Sequence, residues 1–526
     1  MRKSSLLLGC ALAAGLTSAL ADDAAAQEFS YKGYVMSDVR LTIPSVDMPS
    51  EVNGKKYEEV RFWRTDNTVK FTGGFSWDKV DVVADLSIVF SGRSDVYELE
   101  TLRTRNTVDP YYFESDALYI RLSDFIFDGL DIKVGRQVID WGSADRFNPT
   151  SVINGLDLED YQDFGHRIPN EMINIVFAPD WEVESEDGDT PVFSEFQFQV
   201  VWVPTFRSNM VPESSEYVFG GPDQFRRFAK SQFLNNLVDL QEKFQEYNGT
   251  ILYHVVVDEP SDSIENSQVG VRLGFSLLGV DLDFYAYRGY DHNMQPSTVK
   301  VEAVSTDPNV SNAIDQHIHK VGGSKGDRQA LLDLMESFGT NGISTLTANT
   351  DVSVAYPRVW VAGFDFATSL DFAGGIGLWG ELAFTFHDDV VIDLDINGHD
   401  FHDVQNEKGF FVKAVVGIDN SFTKWFYMNM QYIYGFVDEF GSNDLEHYLM
   451  WNGDFKAFNE QMLFRLSLVW CISDPSAMLV PMFSFKFWPN TELALGALIH
   501  LGEKDTTFGN RVTGPNYLYF QAKYSF

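Results

Sequence analysis

The sequence is poor in cysteine and in basic residues, and it has no long apolar run. Its only cysteines are Cys10 and Cys471, so neither a disulfide framework nor a cysteine-ligated zinc site can be drawn. Against 76 aspartates and glutamates stand 39 lysines and arginines, and the resulting charge of -37 would repel a nucleic acid. Beyond the N-terminus, no segment approaches the roughly 20 consecutive apolar residues of a membrane helix.

Linkers are also lacking, while aromatic residues are abundant. No Pro/Ser-rich stretch or change in composition divides the 526 residues, which favours one large architecture. Aromatic side chains make up 15% of the chain, too many for an acidic chain that stays disordered. We therefore expect one large fold with an acidic exterior.

Residues 1–21 have the pattern of a secretory signal peptide. Arg2 and Lys3 precede an apolar, small-residue stretch, which ends in an A-x-A cleavage site at 19–21. We therefore expect export across the inner membrane and a mature chain, 22–526, that forms a single domain.

Segments of about ten residues then alternate between apolar and polar side chains. In 80–90 every even-numbered residue is apolar, while Asp81 and Asp85 lie on the opposite face. The segments 269–277 and 280–286 repeat this pattern as a hairpin. Such segments, separated by alternating short turns and long loops, are typical of a transmembrane β-barrel. We therefore predict an all-β fold, an antiparallel barrel of about 16–18 strands in the bacterial outer membrane.

The strand number is left open by the spacing of the turns. About seventeen segments qualify as strands, but an odd number cannot return both termini to the periplasm. A further strand in 444–453 would give eighteen, and removing a weak one would give sixteen.

The last strand carries a specific signal. Alternate residues of 518–526 are apolar, ending with Tyr524 and Phe526. This resembles the terminal strand by which the barrel-insertion machinery recognises outer-membrane barrels, so we expect that machinery as a partner.

Two long outer segments, 205–264 and 291–350, contain helical patterns. Apolar residues recur at spacings of three and four in 225–248 and in 327–338. The two helices could pack together as an outer cap, or one could enter the barrel as a plug. If they line a passage, their apolar faces would suit apolar solutes.

A motif at the end of one strand resembles a known family. Its residues are Gly135, Arg136, Gln137, Trp141 and Gly142, followed by Asn148 and Pro149. The stretch is similar to a G-R-Q-x-x-x-W-G strand end and N-P loop of porin-like outer-membrane barrels of proteobacteria, an uncharacterised family, and more distantly to the alginate-export porins. That family is thought to accompany inner-membrane exporters of hydrophobic or lipid-like molecules, so the resemblance implies envelope transport without naming a substrate.

Arg136 permits three interpretations. Strict alternation places it on the lipid side, but a bulge at Gly135 could turn it inward. It could also bind a lipopolysaccharide phosphate, or hold the outer loop to the wall through carbonyl and carboxylate groups.

A barrel of this size leaves an aqueous interior unless something fills it. The charged residues expected to line the lumen are Asp81, Asp85, Arg121, Lys133, Glu195, Arg272, Asp281, Asp283, Asp365, Glu381, Lys413, Asp419, Arg465, Lys486 and Glu492. Nine acids against six bases leave the lumen nearly balanced, which favours ion pairs across it, with a mild cation preference as the alternative.

These features predict an outer-membrane channel or transporter for small molecules, surrounded by lipid and lipopolysaccharide. The alternative is a plugged barrel with a structural or surface-binding role. The sequence contains no nucleophile elbow, P-loop or H-E-x-x-H motif, so we expect no enzyme activity, no cofactor and no metal site.

Overall fold

The computed structural model describes most of the chain. The described residues are 28–43, 51–52, 55–56, 60–93, 101–160, 162, 164–184, 191–211, 232–321, 325–370, 374–503, 506–509 and 515–526. The predicted signal peptide, 1–21, and most of the outer loop 43–60 lie outside them.

Twenty-five strands occur in this part of the chain. In chain order they are β1 (Glu28–Thr42), β2 (Glu51–Val52), β3 (Lys55–Lys56), β4 (Phe62–Trp77), β5 (Val80–Ser91), β6 (Tyr111–Leu122), β7 (Leu130–Gln137), β8 (Asn170–Phe177), β9 (Phe193–Val203), β10 (Thr250–Asp258), β11 (Gln268–Leu277), β12 (Val280–Tyr290), β13 (Gln295–Ser305), β14 (Leu346–Ala355), β15 (Arg358–Leu370), β16 (Ile376–His387), β17 (Val390–Ile396), β18 (His399–Asn406), β19 (Gly409–Thr423), β20 (Phe426–Tyr434), β21 (His447–Ala457), β22 (Met462–Cys471), β23 (Ser476–Trp488), β24 (Thr491–Leu501) and β25 (Tyr517–Ser525).

Four α-helices accompany the strands in the same described ranges. They are α1 (Arg105–Val108), α2 (Gln232–Glu246), α3 (Pro308–His317) and α4 (Lys325–Ile343). Of these, none is long and apolar enough to cross a membrane.

Eighteen of the strands form one closed antiparallel barrel. Each barrel strand pairs with the next one along the chain, and β1 closes the ring by pairing with both β4 and β25. The predicted antiparallel barrel is confirmed, and its strand number is eighteen. The additional strand is β21, which overlaps the predicted 444–453.

The faces of the strands alternate as the sequence predicts. In β5, Leu86 and Phe90 are exposed on the outer wall, while Asp85 and Ser87 are buried inside. Exposed aromatic residues gather at both ends of the barrel. At the end with short turns they include Phe29, Tyr31, Trp425 and Trp488, and at the end with long connections Tyr111, Trp360, Phe410 and Trp470. This arrangement is the aromatic girdle of a membrane barrel.

The start of β1 and the end of β25 lie at the end with short turns, because β1 begins beside the end of β4 and pairs with the end of β25. In outer-membrane barrels the short turns face the periplasm. We call this the periplasmic end, and the end that carries the long connections the outer end. The protein is thus a barrel of the bacterial outer membrane.

A small α/β unit stands at the outer end, and we call it the cap (residues 232–258, 295–355 and 390–406). Its mixed sheet has the order β10-β14-β13-β17-β18, with parallel pairing of β10 with β14 and of β13 with β17. Helices α2, α3 and α4 pack on this sheet around one apolar core. Leu237 and Phe244 of the predicted helical stripe are buried in that core. The apolar faces of the cap helices are therefore not available to line a passage.

The cap contains a third insertion, residues 388–408, which lies outside the two long segments predicted from the sequence. Strands β17 and β18 lie between β16 and β19 and complete the cap sheet. Ile392, Leu394 and Ile396 are fully buried in the cap core, opposite exposed residues of the same strand. The segment is too short to stand out as a strand, and its sheet partners come from distant insertions.

Candidate functional site

One segment of the chain crosses the inside of the barrel. Residues 138–169, which we call the plug, connect β7 to β8 and contribute buried side chains to two apolar clusters with inward-facing wall residues. The sequence analysis left open whether the helical insertions form an outer cap or a plug. The structure places the helices in the cap and assigns the plug to the loop that carries Trp141 and Phe147.

A chain of amide groups leads from the motif into the lumen. The Gln137 side chain accepts a hydrogen bond from Asn174 (3.4 Å). Asn174 in turn accepts one from Gln199 (2.9 Å), whose oxygen accepts the indole N–H of Trp141 (2.9 Å). These residues are all buried, and together they fix the point at which the chain leaves β7 and enters the barrel.

Trp141 is the most deeply seated side chain of the motif. It is 1% exposed, and its ring lies 5.1 Å from that of Tyr285 on β12. Opposite, Gly270 leaves the space that the indole fills, since a Cβ there would lie 2.6 Å from the Trp141 ring. The wall and the plug are therefore in backbone-to-ring contact at this point.

Glu381 on β16 anchors the next part of the plug. This carboxylate is 1% exposed and accepts hydrogen bonds from Ala144 N (2.6 Å), Thr150 Oγ1 (2.8 Å) and Asn148 Nδ2 (3.2 Å). Gly142 has a φ of 95°, and any side chain there would collide with the Glu381 carboxylate. Glu381 was predicted to line the lumen, but its hydrogen bonds with three plug residues could be found only from the folded path of the plug.

Two arginines hold the far side of the plug. Arg40 on β1 donates two hydrogen bonds to Asp160, at 2.6 and 2.8 Å, and Arg64 on β4 contacts Glu159 at 2.6 Å. Burial acts to raise the pKa of Asp160, but the hydrogen bonds and charge of Arg40 outweigh it and hold that pKa below its ordinary value. None of these four charges was among the predicted lumen residues, because the plug that unites them was not foreseen.

The outer half of the lumen is largely apolar. Phe147 and Phe164 of the plug stack at 4.6 Å and pack against Phe436. Wall residues that join this cluster include Val415, Ile433, Met450, Val469, Met478, Leu498 and Tyr519. A pocket of about 90 Å³ remains between the plug and the barrel wall with its outer connections, lined among others by Arg146, Pro149, His292 and Lys413.

Below the plug, a polar space of about 550 Å³ remains at the periplasmic side, and we call it the vestibule. Gly142 and Ser143 of the plug line it from above. Its charged lining residues are Asp180, Glu195, Arg272, Asp281, Asp283 and Asp365. Five acids against one base make the vestibule acidic.

Several predicted lumen charges form ion pairs between neighbouring strands. Arg272 binds Asp283 at 2.7 Å, and Arg465 binds Asp454 at 2.6 Å. The remaining pairs of this kind are Arg121 with Asp131 and Asp81, and Asp85 with Lys70. The pairs follow the wall, whereas ion pairs across the lumen had been expected. The partners Lys70, Asp131 and Asp454 were missed.

Other predicted lumen residues have neutral partners. Asp365 accepts the hydroxyl of Tyr285, and Asp419 accepts that of Tyr427 (3.0 Å). The ammonium of Lys133 lies over the ring of Tyr119, and that of Lys413 is 3.4 Å from Val437 O. Near the periplasmic end, Glu195, Asp281 and Lys486 are exposed and Glu492 is half-buried.

Arg136 stays on the outer wall. The pairing of β6, β7 and β8 runs through Gly135 without a register shift, so the bulge that would turn Arg136 inward is absent from these described strands. Its guanidinium donates to Ser115 O (2.6 Å) and to Glu171 (3.1 Å), and Glu171 also binds Arg207. These are carbonyl and carboxylate contacts that tie the strand end to its neighbours.

The C-terminal residues lie on the outer wall beside β1. Tyr524 and Phe526 are 51% and 47% exposed, and Phe526 exchanges two backbone hydrogen bonds with Gly33, both at 2.9 Å. A Cβ at Gly33 would lie 2.7 Å from the Phe526 ring. The terminal ring therefore rests directly on the first strand.

Within the described residues, no group of three or more His, Cys, Asp or Glu side chains is arranged to hold a metal ion. His402 lies 2.7 Å from Asp393 as a surface ion pair.

Solved outer-membrane barrels resemble this chain at low sequence identity. Wzi of Escherichia coli, described as a carbohydrate-binding β-barrel involved in group 1 capsule assembly, matches with a TM-score of 0.42 and 12% identity over 98% of this chain and 87% of its own. OccAB1 of Acinetobacter baumannii matches with a TM-score of 0.41 and 7% identity, over 95% of this chain and 96% of its own. A mutant porin of Rh. blastica has a TM-score of 0.35 and 10% identity, over 95% and 100%.

No curated protein matches the sequence. Residues 113–457 match the DUF1302 family, whose description is "protein of unknown function". The match covers more than half of the chain and includes the motif, the plug and the cap, and the protein is therefore a member of the DUF1302 family.

Proposed function

We propose that this protein is an outer-membrane channel for small polar molecules that the plug closes. The observation that carries the proposal is the vestibule, a charged space of about 550 Å³ that ends at Gly142 and Ser143 of the plug. A barrel with only a structural role does not require a charged space of this size beside the plug. The path of a solute would run from this vestibule past the plug to the outer end.

The connectivity of the plug also supports a gate. Residues 138–169 belong to a single connection between the adjacent strands β7 and β8. The segment could thus shift within the lumen without breaking the barrel. Its polar contacts with Glu381, Arg40 and Arg64 are of a kind that water can replace.

The lining of the vestibule bears on the solute. Its five carboxylates favour polar and cationic solutes over anions. The apolar helical faces, which had suggested hydrophobic or amphipathic cargo, lie in the core of the cap. We therefore propose polar solutes with a preference for cations.

A reversible lock tests the gate. An added Cβ at Gly363 of β15 would lie 3.0 Å from Cγ2 of Thr150 in the plug, so the double variant T150C/G363C brings two Cβ atoms within the roughly 3.5–4.5 Å that a disulfide spans. We expect no current across a planar bilayer from the oxidised variant and discrete openings after reduction. Cys471 is buried and unpaired, and single-cysteine variants treated identically are the matched controls.

A second candidate is a surface-binding barrel without transport. It is favoured by the apolar filling of the outer half of the lumen and by the cap above it. Under this alternative, the reduced double variant and the wild type remain without current, even when the plug is weakened by Glu381→Gln. That outcome would exclude the channel.

The expected partners follow from the outer wall. We propose that the exposed Tyr524 and Phe526 are read by the barrel-insertion machinery, and that Arg136 and Arg207, near the outer rim, contact lipopolysaccharide phosphate. An inner-membrane exporter as a partner, and the similarity to alginate-export porins, stay predictions from the resemblance.

A further inference from the structure

The cap contains an apolar pocket of about 90 Å³ that the channel proposal does not use. Helices α2, α3 and α4 form one side of it, and β13 and β14 form the other. Its lining includes Leu237, Phe244, Ile314, Met335 and Ala348. In the described part of the chain, the lining contains no charged side chain, so an occupant would have to be neutral and mainly apolar.

Two polar atoms interrupt this apolar lining. Thr350 is 2% exposed and its hydroxyl oxygen is buried, and the side-chain oxygen of Gln241 is buried as well. Within the described residues, neither oxygen has a hydrogen-bond partner. Both residues line the cavity. Because an unpaired buried polar group is unfavourable, the pair indicates an occupant that supplies the missing hydrogen bonds.

The chemistry of the two oxygens specifies that occupant further. The Gln241 carbonyl oxygen can only accept a hydrogen bond, whereas the Thr350 hydroxyl can donate or accept. A ligand hydroxyl satisfies both, because it donates to Gln241 and accepts from Thr350. An ether oxygen of the same size could engage Thr350 alone.

We propose that the cap holds a binding site for a small, neutral alcohol, with the alkyl group in the apolar cavity and the hydroxyl between Gln241 and Thr350. An apolar cavity of about 150 Å³ accommodates benzene, so the smaller cavity here suits an alcohol of about four or five heavy atoms. The site lies in the cap and is independent of whether the barrel conducts.

The isomers 1-butanol and diethyl ether test the proposal, because they have the same atoms and differ in donor capacity. Met335 lines the cavity. Met450 is buried in the apolar cluster between plug and wall, so its signal serves as a control for any general effect of the solutes on the detergent. In the full-length protein with labelled methionine methyl groups, we expect 1-butanol to shift the Met335 signal saturably and to leave Met450 unchanged. Met335→Leu assigns the signal.

The hydrogen bonds predict a distinct affinity pattern. One hydrogen bond corresponds to about a three- to tenfold change in affinity, so 1-butanol should bind that much more tightly than diethyl ether. Gln241→Met removes the acceptor at nearly constant shape and should abolish the difference between the two isomers. Thr350→Val should weaken both, and Ala348→Val, which fills the cavity, should prevent the shift.

Two results would overturn the proposal. In one, the Met335 signal does not respond to 1-butanol or responds equally with Met450. In the other, Gln241→Met and Thr350→Val leave the affinities for 1-butanol and diethyl ether unchanged, while an unaltered methyl spectrum shows that the cap is still folded. Neither readout involves conductance, so a failure here and a failure of the channel proposal are distinguishable.

Discussion

At the residue scale, two glycines determine how closely the wall and the plug approach each other. Gly270 lies under the indole of Trp141, and Gly142 lies against the carboxylate of Glu381. Because neither position has space for a Cβ, the contacts in the lumen are as tight as those in a protein interior. The seat of the plug is therefore sensitive to single methyl groups.

Gly270→Ala should displace the plug. The new methyl group would lie 2.6 Å from the Trp141 ring and 2.5 Å from Ile153 Cδ1, and such overpacking costs about 1–3 kcal/mol. We expect a lower unfolding temperature and, if the plug is the gate, a higher open probability in bilayer recordings. Gly409→Ala, where the nearest atom is 3.6 Å away, is the matched control. Equal behaviour of the two variants would contradict the tight seat.

Asp160 makes the anchorage of the plug dependent on pH. Its pKa in the folded protein is depressed, mainly by Arg40 acting against the effect of burial. A depressed carboxyl pKa stabilises the folded state above the ordinary value of about 3.9 and loses that contribution as the pH falls through the lower, folded pKa. We therefore expect plug protection in hydrogen exchange to decrease as the solution is acidified below about pH 4.

The matched variant for this prediction is Asp160→Asn. It should lower the protection of the plug at neutral pH and abolish the acid-dependent loss. A wild-type plug that stays equally protected down to pH 2 would show that Asp160 does not control the anchorage.

At the scale of elements, the cap is assembled from three separate insertions that share one core. Strand β17, in the insertion between β16 and β19, contributes its buried residues to this core. The buried residues of that core come from all three insertions. The cap should therefore unfold as a unit.

Ile392→Ala tests this cooperativity. Ile392 is 0% exposed, and truncating a fully buried isoleucine costs about 2–5 kcal/mol. We expect all three insertions to become sensitive to limited proteolysis together. The barrel should stay folded, so that unheated protein still migrates differently from heated protein in SDS gels. Asp393→Asn on the exposed face of the same strand is the control. Cleavage confined to 388–408 would contradict a shared core.

The sequence predicted some elements and not others for physical reasons. Strands such as β5, β11 and β12 alternate clearly because one face meets lipid and the other the lumen. In β21, Asn452-Gly453-Asp454 has the composition of a turn, but the ring of Trp451 covers Gly453 and the strand continues. The motif at Trp141 and Gly142 was recognised, but its partners Gln199 and Glu381 are 58 and more than 200 residues away along the chain.

At the scale of the whole molecule, the charge of -37 is distributed unevenly. The lumen acids Asp85 and Asp454 are each paired with a lysine or an arginine on the adjacent strand. The vestibule is the exception, with five acids and one base. Any selectivity of an open channel should therefore originate at the periplasmic end.

In the reduced T150C/G363C protein, we expect a reversal potential that indicates preference for potassium over chloride in a salt gradient. Replacing the exposed acids by D281N and E195Q should reduce this preference, because fixed carboxylates attract cations. The control is D109N, which alters an exposed acid in the outer loop before β6. Unchanged selectivity in the vestibule variant would place the filter elsewhere.

The closure of the ring through β1 and β25 also has a consequence for biogenesis. The ribosome synthesises the plug long before Gln431, which lies 286 residues beyond its plug partner Asp145, and before the last strand that closes the barrel. Tyr517 and Tyr519 of β25 belong to the apolar cluster that holds the plug, so the contacts of the plug are complete only when β25 has joined the barrel. Loss of the C-terminal strand would thus leave both an unsealed seam and an unseated plug, and periplasmic proteases would encounter the two defects in the same molecule.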